Sequence, residues 1–342
     1  MGKRLAIILG AGASHDLMGP APEMFNQELE PPLTKDLFTS SRHVFQTILE
    51  QYPDALTLAA TIRHRNRTEP LEVILRSLRD STDEHIARQF RQVPLYLQHL
   101  FGEISEQYTP NPENYTYLVS QVLIFAEKVA FVTLNYDLLL EQAIKAVTAA
   151  SIADLRAYVE PSQKWMLVKL HGSVNWATRV VGGMEGAIAT PEGVLSAVRA
   201  LAVGQAIDGQ LEVIDDHSDR WDHQTERDLL YPAIAVPVED KYEYVCPADH
   251  LDELRAFLEA CENFLFIGVS GKDKDLLELL RDSVKVGRET TIVSWSEPSK
   301  VYRRIQAGAP QLFRRGDNSL EGGFGQFISS GALDDFLRNR IG

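Results

Sequence analysis

Lys3-Arg4-Leu5-Ala6-Ile7-Ile8-Leu9-Gly10-Ala11-Gly12-Ala13-Ser14 is the stretch on which the fold turns. Leu5 to Leu9 is apolar without alternation and stops at a glycine, which is how a parallel strand covered on both faces reads. Glycines directly after such a strand let the backbone turn tightly and approach a pyrophosphate, whose charge then meets the amides of the next helix. The third glycine of the dinucleotide fingerprint is missing, and His15 stands in its place. On this motif alone, a glycine turn that binds no phosphate stays open. Lys3 and Arg4 ahead of an apolar run superficially resemble a secretion signal. The run is too short for one and ends in a glycine loop rather than a small-residue cleavage site. No stretch approaches the ~20 apolar residues that span a bilayer, so a cytoplasmic chain without a membrane partner is expected.

Outward from that strand, Leu17 to Pro32 is rich in proline and glycine and reads as a mobile cover. Residues 33–127 are helical in character. Thr34 is expected to cap a helix to about Glu50, with Asp36 favourable at its positive end. Leu71, Ile74, Leu75 and Leu78 share a face at helical spacing within Glu69 to Leu78. His85 to Tyr108 and Glu113 to Glu127 read as further helices, with Pro94 kinking or dividing the first. The basic run Arg63-His64-Arg65-Asn66-Arg67 reads as a solvated loop between helices.

Beyond the helical stretch, strands and helices alternate. Val129–Leu134, Trp165–Leu170, Ala233–Val236, Phe264–Ile267 and Thr291–Ser294 read as strands. Leu138–Val147, His250–Cys261 and Asp275–Val284 read as helices, and Val194–Leu201 is a candidate within a segment from 179 to 230 that stays unassigned. This alternation implies an α/β, Rossmann-like, mainly parallel sheet with helices on both faces and a large helical insertion after the first strand. The expected organisation is a Rossmann-like domain from residues 1–32 and 129–342, with 33–128 as a helical insertion subdomain.

Two further polar clusters follow predicted strands: Thr133-Leu134-Asn135-Tyr136-Asp137 and Lys169-Leu170-His171-Gly172-Ser173-Val174-Asn175-Trp176. A histidine after a strand is often a satisfied structural residue, and an asparagine there is often a turn former. Three clusters after three successive strands weigh against both readings, because open α/β sheets bind ligands at those strand ends.

Composition narrows the partners. A net charge of −14 over 342 residues repels phosphate backbones and argues against direct nucleic-acid binding. The two cysteines, Cys246 and Cys261, make neither a disulfide framework nor a four-cysteine zinc module. They read as reduced thiols in or near the core.

The segments GAGAS, TLNYD and LHGSVNW together resemble the signatures of sirtuin-like NAD-dependent enzymes, in the divergent zinc-free form of bacterial antiphage-defence NAD hydrolases. Pro32-Leu33-Thr34-Lys35-Asp36-Leu37-Phe38, Glu69-Pro70-Leu71-Glu72 and Phe266-Ile267-Gly268-Val269-Ser270 followed by Asp273 extend the resemblance, which runs from Leu5 to about Trp295. It implies NAD as substrate and no metal. It also implies Gly10, Ala11, Gly12 and Ser14 at the diphosphate, with Asn135 positioning the nicotinamide ribose and the attacking water and His171 as the catalytic base. Asp137 matches the acidic residue closing the second motif, where a structural role is also open. Gly268 and Ser270 would contact the adenosine side, and Ser294 and Trp295 would line the adenine pocket. Protein-deacylating sirtuins carry two Cys-x-x-Cys pairs, and their second motif has Gln before the Asn and an aliphatic residue after it. This chain has no such pairs, and carries Leu134 and Tyr136 there.

The resemblance therefore implies an NAD glycohydrolase that serves as a defence effector, as a homo-oligomer and with a partner ATPase as a further expectation. A deacylase or ADP-ribosyltransferase, and a non-catalytic NAD or ADP-ribose sensor, are the alternatives. Asn135 and His171 together favour an enzyme, since binding alone requires neither.

Overall fold

The computed structural model describes residues 3–16, 27–107, 113–181, 190–201, 210–214, 228–238, 245–314, 316 and 318–342. Most of the expected Leu17–Pro32 cover, and much of the segment after Val181, lie outside the described residues. The chain enters β1 (Arg4–Leu9) and a one-turn helix, α1 (Ala11–His15), then a helical stretch. That stretch holds α2 (His43–Glu50), α3 (Pro53–Arg65), α4 (Leu71–Arg79), α5 (Glu84–Phe90), α6 (Val93–Gln107) and α7 (Glu113–Phe125). There follow β2 (Lys128–Thr133), α8 (Leu139–Thr148), β3 (Trp165–Lys169) and β4 (Gly172–Val181). Next come α9 (Pro191–Ala200), β5 (Leu211–Val213), β6 (Asp228–Ile234), α10 (Ala248–Ala260) and β7 (Asn263–Ile267). The chain closes with α11 (Lys274–Ser283), β8 (Glu289–Ser294), α12 (Pro298–Gly308), β9 (Ser319–Glu321), α13 (Gly323–Ser329) and α14 (Ala332–Arg340).

Leu5 to Leu9 are fully buried because β1 is flanked on both sides. It pairs in parallel with β2, where Leu9 meets Thr133, and with β7, where Leu9 meets Ile267. The main sheet runs β3-β2-β1-β7-β8-β9, with every pairing parallel. The chain builds outward from β1 to one edge, then returns to build the other half from β7. The carboxyl ends of β1 and β7 therefore form the switch point at which doubly wound sheets hold ligands.

A second sheet, β5-β4-β6, is antiparallel. Of the expected Ala233–Val236 strand, Ala233 and Ile234 belong here as the end of β6 and Ala235 and Val236 lie beyond it, which corrects its expected place in the alternating parallel series. Its partner β4 begins one residue after His171, so the third motif is itself half strand. α6 lies under this sheet: Gln98 Nε2 donates to Val174 O (2.9 Å), and most of the helix is buried all round. The helical stretch, the small sheet and the main sheet share one continuous core.

Local chemistry explains two departures from the sequence reading. Thr34 starts only a 3-10 turn, Thr34–Asp36, and α2 begins at His43. The Thr39 and Ser41 hydroxyls bond to each other, and Thr39 Oγ1 also accepts from Ser41 N, which competes with helix there. Only Asn66 and Arg67 of the basic run lie in the turn between helices, since Arg63 to Arg65 form the last turn of α3. There Arg63 donates to Phe38 O (2.6 Å), and Arg65 pairs with Glu69 (2.7 Å) just beyond the helix. Pro94 does mark a division, at the start of α6 after α5 has ended. Among the described residues, no helix is long and apolar enough to cross a membrane.

Candidate active site

The turn after β1 is stitched to the turn after β7. Gly10 N–H donates to Ile267 O and Gly12 N–H to Gly268 O, each at 3.0 Å. A Cβ on Gly10 would stand 2.7 Å from Gly268 O, and one on Gly12 2.9 Å from the same atom. Gly268 has φ +65°, and a Cβ there would fall 2.1 Å from Ala13 N. The three glycines are thus required first by backbone packed on backbone. His15, in the place of the fingerprint's third glycine, ends α1 and donates from Nδ1 to Pro31 O (2.8 Å). The site needs no glycine there because α1 stops after one turn.

Ser14 is turned inward and 2% exposed. Its Oγ donates to Asp137 Oδ2 (2.9 Å) and accepts from Asn135 Nδ2 (2.9 Å). With that single proton committed, the Tyr115 hydroxyl at 3.0 Å is the donor to Ser14. Any diphosphate contact by Ser14 therefore falls to its backbone. Asn135 Nδ2 also donates to Gly10 O (3.0 Å), so both amide protons latch the glycine turn onto the end of β2. Among the described residues, Asn135 Oδ1 takes no hydrogen bond.

Asp137 is buried, and its Oδ1 accepts from Leu139 N (3.3 Å) at the start of α8. Burial pushes its carboxyl up, and the Lys169 charge and the Ser14 hydrogen bond offset this only in part. Lys169 is wholly buried. Its Nζ donates to Glu141 Oε1 (2.7 Å), Asp137 O (2.5 Å) and, at 3.4 Å, Tyr136 O. That ammonium ties the Tyr136–Asp137 turn to β3. From the helical stretch, Ser105 Oγ accepts from Leu138 N (2.9 Å), and Tyr115 reaches Ser14.

His171 follows β3 by two residues, and its side chain is 13% exposed. Its carbonyl accepts from Ala235 N (2.9 Å), and the Tyr136 hydroxyl donates to Ala235 O (2.6 Å). The Tyr136 ring lies beside the imidazole, 6.4 Å between centroids. Gly172 has φ +79°, and a Cβ there would meet Ala233 O at 1.9 Å, so the glycine after His171 serves the approach of β6. His171 Nε2 lies 2.9 Å from Asp273 Oδ2. Burial opposes ionisation of Asp273, but His171 and the Leu276 N–H outweigh it and hold the carboxyl below its usual range. The remainder of the third motif is core. Asn175 accepts from Ser173 Oγ (2.7 Å), and Trp176 packs edge-on to Tyr158.

Gly268 and Ser270 follow β7, and Ser294 and Trp295 lie at the end of β8, so all the expected residues share the carboxyl edge of the sheet. Ser270 is exposed, with its carbonyl accepting from Arg304 (3.1 Å). Ser294 Oγ donates to Ser296 O (2.9 Å), and Trp295 is 70% exposed. Neither Ser270, Ser294 nor Trp295 hydrogen-bonds to the Ser14–Asn135–Asp137 network among the described residues.

Sequence reasoning missed several supporting residues. Asp16, one position beyond His15, accepts from Gly325 N (2.8 Å) and docks α13 against the glycine turn. Burial pushes the Asp16 carboxyl up. Lys169 and Glu141 were detectable as charges within mostly apolar stretches, WMLVKL and LLEQAI. Tyr115 carried no signal. Among the described residues no group of His, Cys, Asp or Glu is placed to hold a metal. Cys246 and Cys261 are buried free thiols, and burial pushes Cys261 up to about 12.

No curated protein matches the sequence. In overall chain path the protein is similar to a Sir2 homologue solved with NAD, at 12% identity and TM-score 0.46 over 100% of this chain and 91% of that one. It is similar to a Sir2 homologue mutant solved with ADP-ribose, at 13% identity and TM-score 0.48 over 99% and 93%. Sir2Tm bound to a propionylated peptide gives 13% and 0.42 over 98% and 94%. The family model described as a SIR2-like domain matches residues 129–185. The chain is thus similar to SIR2-like domains over the segment from β2 to β4, which carries Asn135, Asp137, Lys169 and His171.

Proposed function

We propose that the protein hydrolyses NAD at the nicotinamide–ribose bond, giving nicotinamide, ADP-ribose and a proton. One observation carries this reading: Asn135 and His171 follow adjacent strands at the carboxyl edge, beside the switch point, inside the segment that matches a SIR2-like domain.

The bond breaks with its electron pair passing to the nicotinamide nitrogen, which neutralises a cationic leaving group and removes any need for a general acid. Positive charge builds on the ribose, as in glycoside hydrolysis. A water oxygen then bonds to the ribose carbon, and its proton passes to His171. Asn135 Oδ1 is the acceptor left to orient the water or a ribose hydroxyl, since its Nδ2 is committed to the glycine turn. The backbone of Ala11 to Ser14 faces the diphosphate in this reading. Trp295, exposed beyond β8, gives the adenine an apolar wall, with Gly268, Ser270 and Ser294 along the adenosine. A role as a defence effector, working as a homo-oligomer with a partner ATPase, completes the proposal and rests on the resemblance.

The test is to mix the purified protein with NAD and follow nicotinamide release with and without an acylated peptide. Release without peptide is expected. Release only with peptide would make the protein a deacylase, and NAD binding without release would make it a sensor.

A further inference from the structure

His171 stands at the end of β3, the edge strand, and Asp273 lies after β7, with β2 and β1 between them in the sheet. Their side chains nonetheless meet across the carboxyl edge at 2.9 Å, between His171 Nε2 and Asp273 Oδ2. Both side chains are mostly buried, at 13% and 15% exposure, so water screens the pair poorly.

The carboxylate is held from behind. Asp273 is the N-cap of α11, and its Oδ1 accepts from Leu276 N at 2.7 Å. One oxygen is thereby committed to the helix, leaving Oδ2 for the imidazole. The ring is held as well: His171 O accepts from Ala235 N, and the Tyr136 ring beside it is anchored to Ala235 O. Helix and strand therefore fix the two groups independently.

From this geometry we infer that Asp273 is a positioning residue for His171, holding the imidazole with its proton on Nε2 so that Nδ1 is the nitrogen that accepts a proton. The chemistry at the contact decides the tautomer. Nε2 is a buried ring nitrogen, and a carboxylate offers only acceptors. The 2.9 Å approach is an ion-pair contact rather than an aligned hydrogen bond, and an unprotonated Nε2 would bring its electron density against a carboxylate oxygen with no donor between them. A proton on Nε2 turns that repulsion into a charge-assisted contact. In a neutral imidazole the other nitrogen is then the base. When Nδ1 takes the proton released by the attacking water, the resulting imidazolium sits against a carboxylate already ionised. The part of the inference that concerns proton uptake rests on the NAD-cleaving reading. The tautomer does not.

The experiment uses the full chain, its Asp273→Asn and Asp273→Glu variants, and His171→Gln to assign the His171 signals. Asparagine is an equally good N-cap, so Asp273→Asn keeps α11 started, yet its amide group offers Nε2 a donor. Nitrogen-15 NMR of the histidine-labelled proteins reads the tautomer directly, and nicotinamide release reads turnover. Expected is an Nε2–H signature in the parent and a change toward Nδ1–H in Asp273→Asn. The kcat of that variant should fall by ~10²-fold with KM for NAD changed less than ~3-fold, and Asp273→Glu should restore part of both readouts. An unchanged tautomer in Asp273→Asn overturns the inference, even if melting temperature and kcat fall together, because Asp273 would then be structural alone. If the parent releases no nicotinamide, the NAD reading fails while the tautomer change still decides the role of Asp273.

Discussion

The two ends of the Asn135 amide group differ. Its nitrogen latches Gly10 and Ser14, and its oxygen is the acceptor that the proposed NAD reading assigns to substrate. His171→Ala and Asn135→Ala should therefore differ in kind. Each should lower nicotinamide release by at least ~10²-fold, and the double variant should lose little more, because in the proposed mechanism both residues act on one transition state. Only Asn135→Ala should also cost ~1–3 kcal/mol of stability, since Ser14 Oγ and Gly10 O lose a buried donor. Nicotinamide release and urea unfolding on the same preparations check this, and a parental rate in folded His171→Ala would remove His171 from the mechanism. Lys169 is the other residue whose burial makes a prediction. Lys169→Met leaves Glu141, 3% exposed, as an uncompensated buried charge, which costs ~3–5 kcal/mol. Adding Glu141→Leu should recover most of that loss in urea unfolding. A double variant as unstable as the single would mean that Lys169 matters through the Tyr136 and Asp137 carbonyls instead.

At the scale of elements, the site is a junction of turns rather than a pocket in one helix. The turns after β1 and β7 interlock through Gly10, Gly12 and Gly268, α13 is docked on Asp16, and α7 contributes Tyr115. The interlock separates two physical effects that glycine substitutions usually mix. Gly331 has φ +78° with nothing within 4 Å of a built Cβ, so Gly331→Ala should show left-handed strain alone, about 1–2 kcal/mol. Gly268→Ala has similar strain plus a Cβ 2.1 Å from Ala13 N, and should cost clearly more while weakening NAD binding. Urea midpoints of the two variants give the comparison. Equal losses would show that the two turns part easily.

Across the whole molecule, one core joins the main sheet, the small sheet and the helical stretch, so distant groups report on global stability. His250 on α10 is wholly buried among Tyr158 and Trp176 and donates from Nε2 to Leu155 O at 2.7 Å. Among the described residues its Nδ1 is buried without a hydrogen-bond partner, and burial holds its pKa below the ordinary 6.5. The folded state therefore resists a proton that the unfolded chain accepts. The stability this represents is present above the unfolded value and is lost as pH falls from there toward the lowered folded value. Urea midpoints should drop as pH falls below the ordinary value of 6.5, and less so in His250→Gln, which keeps a donor for Leu155 O. An identical drop in the variant would place the titration elsewhere.

Sequence alone determined the elements whose signal is local. β1, β2, β3 and β7 read as nearly continuous apolar runs because parallel strands are buried on both faces, β8 reads from Ile292 and Val293 between a β-favouring threonine and a serine, and α4 reads from its stripe of Leu71, Ile74, Leu75 and Leu78. The same locality set Gly10, Asn135 and His171 just past three strand ends. α3 escaped because half of its buried face is alanine, Ala55 and Ala59 beside Leu58 and Ile62, and its last turn is basic. The small sheet escaped because β4 and β6 pair across a long intervening segment, a contact that leaves little periodic trace in either strand. Tertiary structure alone decided which polar group meets which: Ser14 with Asp137, Lys169 with Glu141, and His171 with Asp273. Periodicity records which face of an element is dry. The partner of a buried donor is chosen by strand order and turn geometry, and these exist only once the sheet has closed around β1.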